Sequence, residues 1–383
     1  MRARVRGPRT PVTRVAPERE PRGRCARQDA GMGPHIRHCR TALVAALASV
    51  LLTPIPALAN GAGSPRTPTG DAIRRIPADS AGHRTLTDPL GHGPLAAAPC
   101  RSARDPERAA RLSRDIRAVV SSRHGTVSVA VADAAGLTCA YASWLRYDSA
   151  SVAKVMIMEG VLRRADELRR RLTSWEAANI RPMIVSSDNT AAGRLWAGLG
   201  RSYLNRFLTR VRTRATVLGP GRYWGLTRTT AADQMRLLGV LTNPSSFLRS
   251  RAYGLKLLSE VRRDQRWGVP AGMPSGMTAH VKNGWLPRAT HGWRVHSVGA
   301  FTGQGRNTYR IVVLSHGNPT MAYGVHTIER IAQAVHRGLD QGRDGGPTDN
   351  ALTPESEISE ESDGSAPYDP LPGWDEPEPD ATP

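Results

Sequence analysis

The sequence predicts a mixed α/β fold of the α+β sandwich kind. A five-stranded antiparallel sheet carries the terminal helices on one face, and an all-helical lobe stands beside it. Three observations lead there. Ordered patterning is confined to roughly residues 100–340 of the 383, flanked by stretches without periodicity. Within it the order is helix, two strands, a run of helices, three strands and a closing helix. Both end helices place apolar residues at 3.6-residue spacing, so each has one face to bury.

Taken in order, residues 1–31 are rich in Arg and Pro and lack periodicity, as a non-native or disordered extension would. Met32 opens a second possible start. His35, Arg37 and Arg40 give a positive region, Thr41 to Leu52 is an uncharged apolar run, and Ala57-Leu58-Ala59 offers a small-residue cleavage site. Residues 32–59 therefore read as a secretory signal, too short in its apolar run to span a bilayer. Residues 60–99 are rich in Gly, Pro, Ser and Thr and read as a linker. Export would leave two of the four cysteines, Cys100 and Cys139. An oxidising destination favours a bond between them over two buried thiols.

Asp105-Pro106 is a cap followed by proline at the first helical position, and Ala109, Leu112, Ile116, Val119 and Val120 continue the helix. Gly125 ends it. Thr126–Ala132 and Leu137–Ser143 alternate as strands around an Asp133–Gly136 turn, and a helix carrying Ser151 follows. Thr173-Ser174-Trp175-Glu176 has the form of a capping box. Helices follow at 190–199, which Gly200 stops, and at 203–211. Two more follow: one is capped by Thr229 or Thr230 and runs through Leu241, and the other covers 251–261. His280–Trp285, Trp293–Thr302 and Thr308–Ser315 are the closing strands, with Gly305 and Asn307 in the last turn. Val325, Ile328, Ile331 and Val335 mark the final helix.

The net charge of +20 is unevenly spread. Residues 340–383 hold thirteen acids against Arg343, a local charge of −12, which leaves about +32 on the remainder. The tail, 341–383, has too little apolar content to fold alone and reads as disordered. A basic body attracts polyanions, and an anionic cell-wall polymer is the partner that suits export. Nucleic acid is disfavoured, since no binding module is present and aromatic residues are few. His291, His296 and His316 lack ligand spacing, as do His326 and His336. No metal site, phosphate loop or other cofactor site is expected.

Of 53 cationic residues only Lys154, Lys256 and Lys282 are lysine. Arginine cannot lose its proton in a protein and lysine can, so retained lysines hint at chemistry. Ser151 and Lys154 are three apart and share a helix face, which places an amine beside a hydroxyl that needs a base. The plainer reading of Ser-x-x-Lys is an amphipathic helix. Ser187-Asp188-Asn189 supplies a second hydroxyl and an amide, and its plainer reading is a helix cap. Lys282-Asn283-Gly284 lies in a strand, where the glycine permits close approach of another backbone. A lone edge-strand lysine is the alternative.

Together, in this order, the three motifs resemble those of the serine β-lactamase and penicillin-binding D,D-peptidase superfamily, on its class A side and similar to secreted actinobacterial hydrolases. The resemblance covers about residues 100–340. It implies Ser151 as the acylated nucleophile, Lys154 as its base and Ser187 as the proton shuttle. Asn189, Lys282, Asn283 and Gly284 would bind substrate, and the backbone N–H groups of Ser151 and Trp285 would form the oxyanion hole. The implied substrates are β-lactams or D-Ala-D-Ala peptidoglycan stems. A non-catalytic wall-binding protein that keeps the fold is the rival reading. Two departures stand out. Asn283 replaces the usual hydroxyl residue, and the stretch Thr190–Arg228, where class A enzymes keep a deacylating glutamate, has neither Glu nor Asp. The Ser151–Ser187 interval is also short for class A, which implies a trimmed helical lobe.

Overall fold

A computed structural model describes residues 98–303, 308–340 and 351–374, all within the unit Asp79–Pro383. The expectations for 1–31 and 32–59, most of the 60–99 linker, and the Gly305–Asn307 turn lie outside the described residues. Cys100–Arg101 forms a short strand, β1, and Pro106–Ser121 forms α1. The Asp105 side chain accepts from Arg108 N at 2.9 Å, as a cap preceding proline should. Strands β2 (Thr126–Asp133) and β3 (Thr138–Tyr141) flank a turn in which Asp133 Oδ1 accepts from Ala135 N and Leu137 N. Then comes β4 (Tyr147–Asp148), and a single 3₁₀ turn, Ala150–Val152, leads into α2 (Ala153–Glu167).

The helical lobe continues with α3 (Ser174–Val185), α4 (Asn189–Leu199) and α5 (Arg201–Val211). Thr173 and Glu176 complete the expected capping box, and Asp188 is the residue that caps α4. Strand β5 (Arg228–Thr229) returns to pair with β4, and Thr230 caps α6 (Ala231–Thr242), followed by α7 (Arg251–Ser259). Strands β6 (Thr278–Pro287), β7 (Trp293–Thr302) and β8 (Thr308–Asn318) lead to α8 (Met321–Asp340).

The main sheet is antiparallel with order β1-β3-β2-β8-β7-β6, six strands rather than the five expected. The sixth is β1, whose two residues are too few to show alternation in sequence. Its pairing sets Cys100 opposite Cys139, and a disulfide joins them. Helices α1 and α8 pack on each other, and α8 on β7 and β8. Val325, Ile328, Ile331 and Val335 are fully buried there, each stabilising the domain by roughly 1.5–3 kcal/mol. In the lobe, α2 is central, packed by α3, α4, α5 and α7.

The acidic tail departs from the sequence reading. Residues 351–374 are laid back over α8 and across the end of β6. Thr353 N donates to Glu329 Oε2 at 2.9 Å, Ile358 is buried, and Glu360 accepts from Met321 N and Ala322 N at the start of α8. A carboxylate at a helix N-terminus is favoured by the free N–H groups and the dipole. The tail has little apolar surface of its own, but the body supplies partners that composition does not reveal.

His296 and His336 are buried and His316 is half-buried, and all three are held neutral. Burial pushes His296 and His336 down to about 4, and burial with the neighbouring His291, Arg294 and His296 pushes His316 down to about 3. Above pH 6.5 both folded and unfolded chains hold them neutral. Below it only the unfolded chain takes up the protons, so stability falls as pH falls from 6.5 toward 4. By pH 5 the loss is about 2 kcal/mol per histidine. Glu159 opposes this: complete burial raises its carboxyl well above the usual value, so protonation favours the folded state. Three groups outweigh one. The urea midpoint should therefore drop clearly between pH 7 and pH 5, a window mostly above carboxylate titration, and a flat midpoint would contradict the assignment.

Candidate active site

The site forms where the helical lobe meets β6. Ser151 lies in the 3₁₀ turn just before α2, so its backbone N–H is free of helical partners. The preceding residue, Ala150, has φ +46°, a strained value for a side chain. The turn is braced from several sides. Ser149 N donates to Thr227 O at 2.8 Å, and His296 Nε2 lies 2.8 Å from Asp148 O. The Asp148 carboxylate lies 3.0 Å from the guanidinium of Arg294 on β7. A Cβ on Gly284 would stand 2.6 Å from Ser151 N, so only glycine lets β6 approach the turn this closely.

Lys154 is fully buried one turn into the lobe. Its Nζ lies 2.9 Å from Ser151 Oγ, 2.8 Å from Ser187 Oγ, 2.6 Å from Ser187 O and 2.7 Å from Asn189 Oδ1. Ser187 has φ +55°, which turns its hydroxyl and its carbonyl onto the same amine. Burial, then the Lys282 charge, hold the Lys154 amine well below the usual lysine value, with Asp363 and Asp188 pulling the other way. A neutral amine offers a lone pair to one hydroxyl while donating to other acceptors. The expected group of Ser151, Lys154, Ser187 and Asn189 is thus assembled around one nitrogen.

Lys282 is buried in β6, its amine donating to Asn283 O at 2.8 Å, and burial pushes it down to about 8 against the pull of Asp363. Asn283 behaves differently from its expected substrate-binding role. Its amide donates to Gln265 O and Trp267 O, at 3.1 and 2.9 Å, and it is fully buried. It ties the 263–267 loop to the strand. Alternation along β6 separates it from its neighbours Lys282 and Gly284, which share the other side.

Two backbone donors converge near Ser151. Ser151 N and Trp285 N both donate to Asp363 Oδ2, at 3.0 and 3.3 Å. A carboxylate oxygen from the tail therefore stands where an oxyanion would be held.

Comparison with known proteins follows this geometry. Residues 177–339 match the model of a β-lactamase enzyme family, a stretch that includes Ser187, Asn189 and Lys282 and begins after Ser151. An ancestral class A β-lactamase is 22% identical, with a TM-score of 0.51, over 59% of this chain and 99% of that one. A class A β-lactamase from Bacteroides cellulosilyticus is 16% identical, with a TM-score of 0.54, over 60% and 97%. The β-lactamase from Sphaerobacter thermophilus is 20% identical, with a TM-score of 0.51, over 60% and 97%. Residues 177–339 are thus similar to a β-lactamase enzyme family, and the fold is that of class A β-lactamases. No curated protein matches it.

Two site residues escaped the sequence reading. Trp224 stacks its ring 4.8 Å from Lys154 Nζ and contributes to the amine's apolar surroundings. It sits in a turn-rich loop where nothing marks it as near Lys154. Asp363 lies more than 200 residues from Ser151 in a segment whose composition reads as disordered.

Proposed function

We propose that the protein is an exported serine hydrolase or acyl-transferase that forms an acyl-enzyme on Ser151 with β-lactams or D-Ala-D-Ala peptidoglycan stems. The observation that carries this is a buried lysine amine between two serine hydroxyls, beside two N–H groups that converge on one oxygen. Neutral Lys154 takes the Ser151 proton as Oγ attacks the carbonyl carbon. The carbonyl oxygen takes up the negative charge between Ser151 N and Trp285 N. As the amide bond breaks, Ser187 gives its proton to the leaving nitrogen and recovers one from Lys154. Asn189 Nδ2 binds the substrate amide, and charged Lys282 attracts its carboxylate. Electrostatic attraction to a cell-wall polyanion, from the basic body, brings the protein to such substrates.

Prolonged incubation with a fluorescent penicillin should place one label, mapped to Ser151 by peptide mass, and Ser151→Ala should abolish it. The rate should follow a bell in pH. It rises as Lys154 loses its proton, below the ordinary lysine range, and falls near pH 8 as Lys282 loses its charge. Absence of label on folded protein at every pH would refute the reading.

A further inference from the structure

The tail meets the site as a substrate would. Asp363 N donates to Trp285 O at 3.1 Å, so the segment pairs with β6, the last strand in the sheet order. Asn189 Nδ2 donates to Asp363 O at 2.6 Å, and Trp285 Nε1 donates to Glu361 O at 2.8 Å. The Asp363 carboxylate fills the converging N–H pair through Oδ2, while its Oδ1 accepts from Ser365 N at 2.9 Å and fixes the turn. Ser365 is buried against Gly225, where a Cβ would stand 2.5 Å from Ser365 O. Beyond the site, Ala289 N donates to Tyr368 O, and the Arg228 guanidinium bonds Trp374 O and covers its ring. On the other side, Glu360, which accepts from the first N–H groups of α8, and buried Ile358 hold the segment.

We propose that residues 351–374 are an intramolecular inhibitory ligand of the active site, with the Asp363 carboxylate occupying the oxyanion hole until substrate displaces it. The inference rests on the reading of Ser151 N and Trp285 N as that hole. The segment carries six acids and no Lys or Arg, against a strongly basic body, so charge holds it in place as well as shape. Anchors on both sides give Asp363 a high effective concentration, and a diffusing substrate must compete with it. The same contacts describe what an activating ligand offers: an extended peptide with one anionic group beside its carbonyl.

The full chain tests this through Asp363→Ala, which removes the carboxylate and leaves the anchors, and Ile358→Asp, which unseats an anchor. Acylation by a fluorescent penicillin should accelerate by roughly tenfold to a hundredfold in Asp363→Ala, the span of charge-assisted hydrogen bonds lost from the resting state. Ile358→Asp should accelerate it in the same direction. Hydrogen exchange at the Ser151 and Trp285 amides, which needs no turnover, should quicken in both variants. Parent-rate acylation in both variants overturns the inhibitory role and leaves the hydrolase reading intact. Quickened exchange with no acylation in any form upholds the tail as the site's ligand and overturns the hydrolase reading. Unchanged exchange in both variants overturns the placement of the tail.

Discussion

A Lys154→Arg protein should acylate with penicillin at least 10²–10⁴-fold more slowly than the parent, as a lost general base implies. The substitution keeps the charge and nearly the length, so it isolates the proton. Lysine can be neutral here because burial and the nearby Lys282 charge both oppose its protonation. Arginine stays charged under any such pressure. A guanidinium must also satisfy acceptors that a small amine reaches at 2.6–2.9 Å, and its planar fork matches no single point. A loss of 10³ corresponds to about 4 kcal/mol of barrier. Rate constants from intact-protein mass spectrometry decide the matter, with the urea midpoint as a check on folding. A folded Lys154→Arg protein labelled at the parent rate would make Lys154 structural and end the proposed mechanism.

The cluster around Lys154 was legible because residue types at local spacing carry it. Ser151 and Lys154 are one turn apart, and Ser187 and Asn189 flank a helix cap, so short motifs carry their geometry. The scarcity of lysine sharpened the signal. Trp293–Thr302 and α8 were legible because their apolar residues recur over ten or more positions, and the other two closing strands were read shorter than they are. What escaped depends on tertiary partners. The pairing of β1 with β3 involves two residues, and that of β4 with β5 another two, too short for any periodicity. Asn283 was assigned by its place in a motif, whereas its bonds to the carbonyls of Gln265 and Trp267 are set by a loop some 16 residues earlier. The tail misled for the same reason. Its lack of apolar residues says that it cannot fold alone, and says nothing of a waiting helix N-terminus or a pair of free N–H groups.

With penicillin the protein should accumulate as a covalent adduct that persists for minutes. In the proposed mechanism acylation has its base in Lys154, but deacylation needs a second base to activate water against the ester. The described residues from Thr190 to Arg228 include no carboxylate, and the next one in sequence, Asp233, is already saturated. Its Oδ2 accepts from Ala215 N at 2.9 Å and from Thr216 Oγ1 at 2.8 Å. Its Oδ1 accepts from Arg214 N at 3.1 Å and pairs with Arg236 at 2.6 Å. A carboxylate so engaged is a structural brace in the first turn of α6. Asp363 is near Ser151, yet its carboxylate occupies the two N–H groups proposed as the oxyanion hole, from which a bound acyl group would displace it. Missing general-base help slows a step by roughly 10²–10⁴-fold, about 3–5 kcal/mol of barrier. Release, not acylation, should therefore limit turnover. Excess penicillin followed by intact-protein mass spectrometry should show the adduct forming first and decaying slowly. Steady hydrolysis with no trapped adduct would mean that another group activates the water, and the protein would then turn over as an efficient β-lactamase.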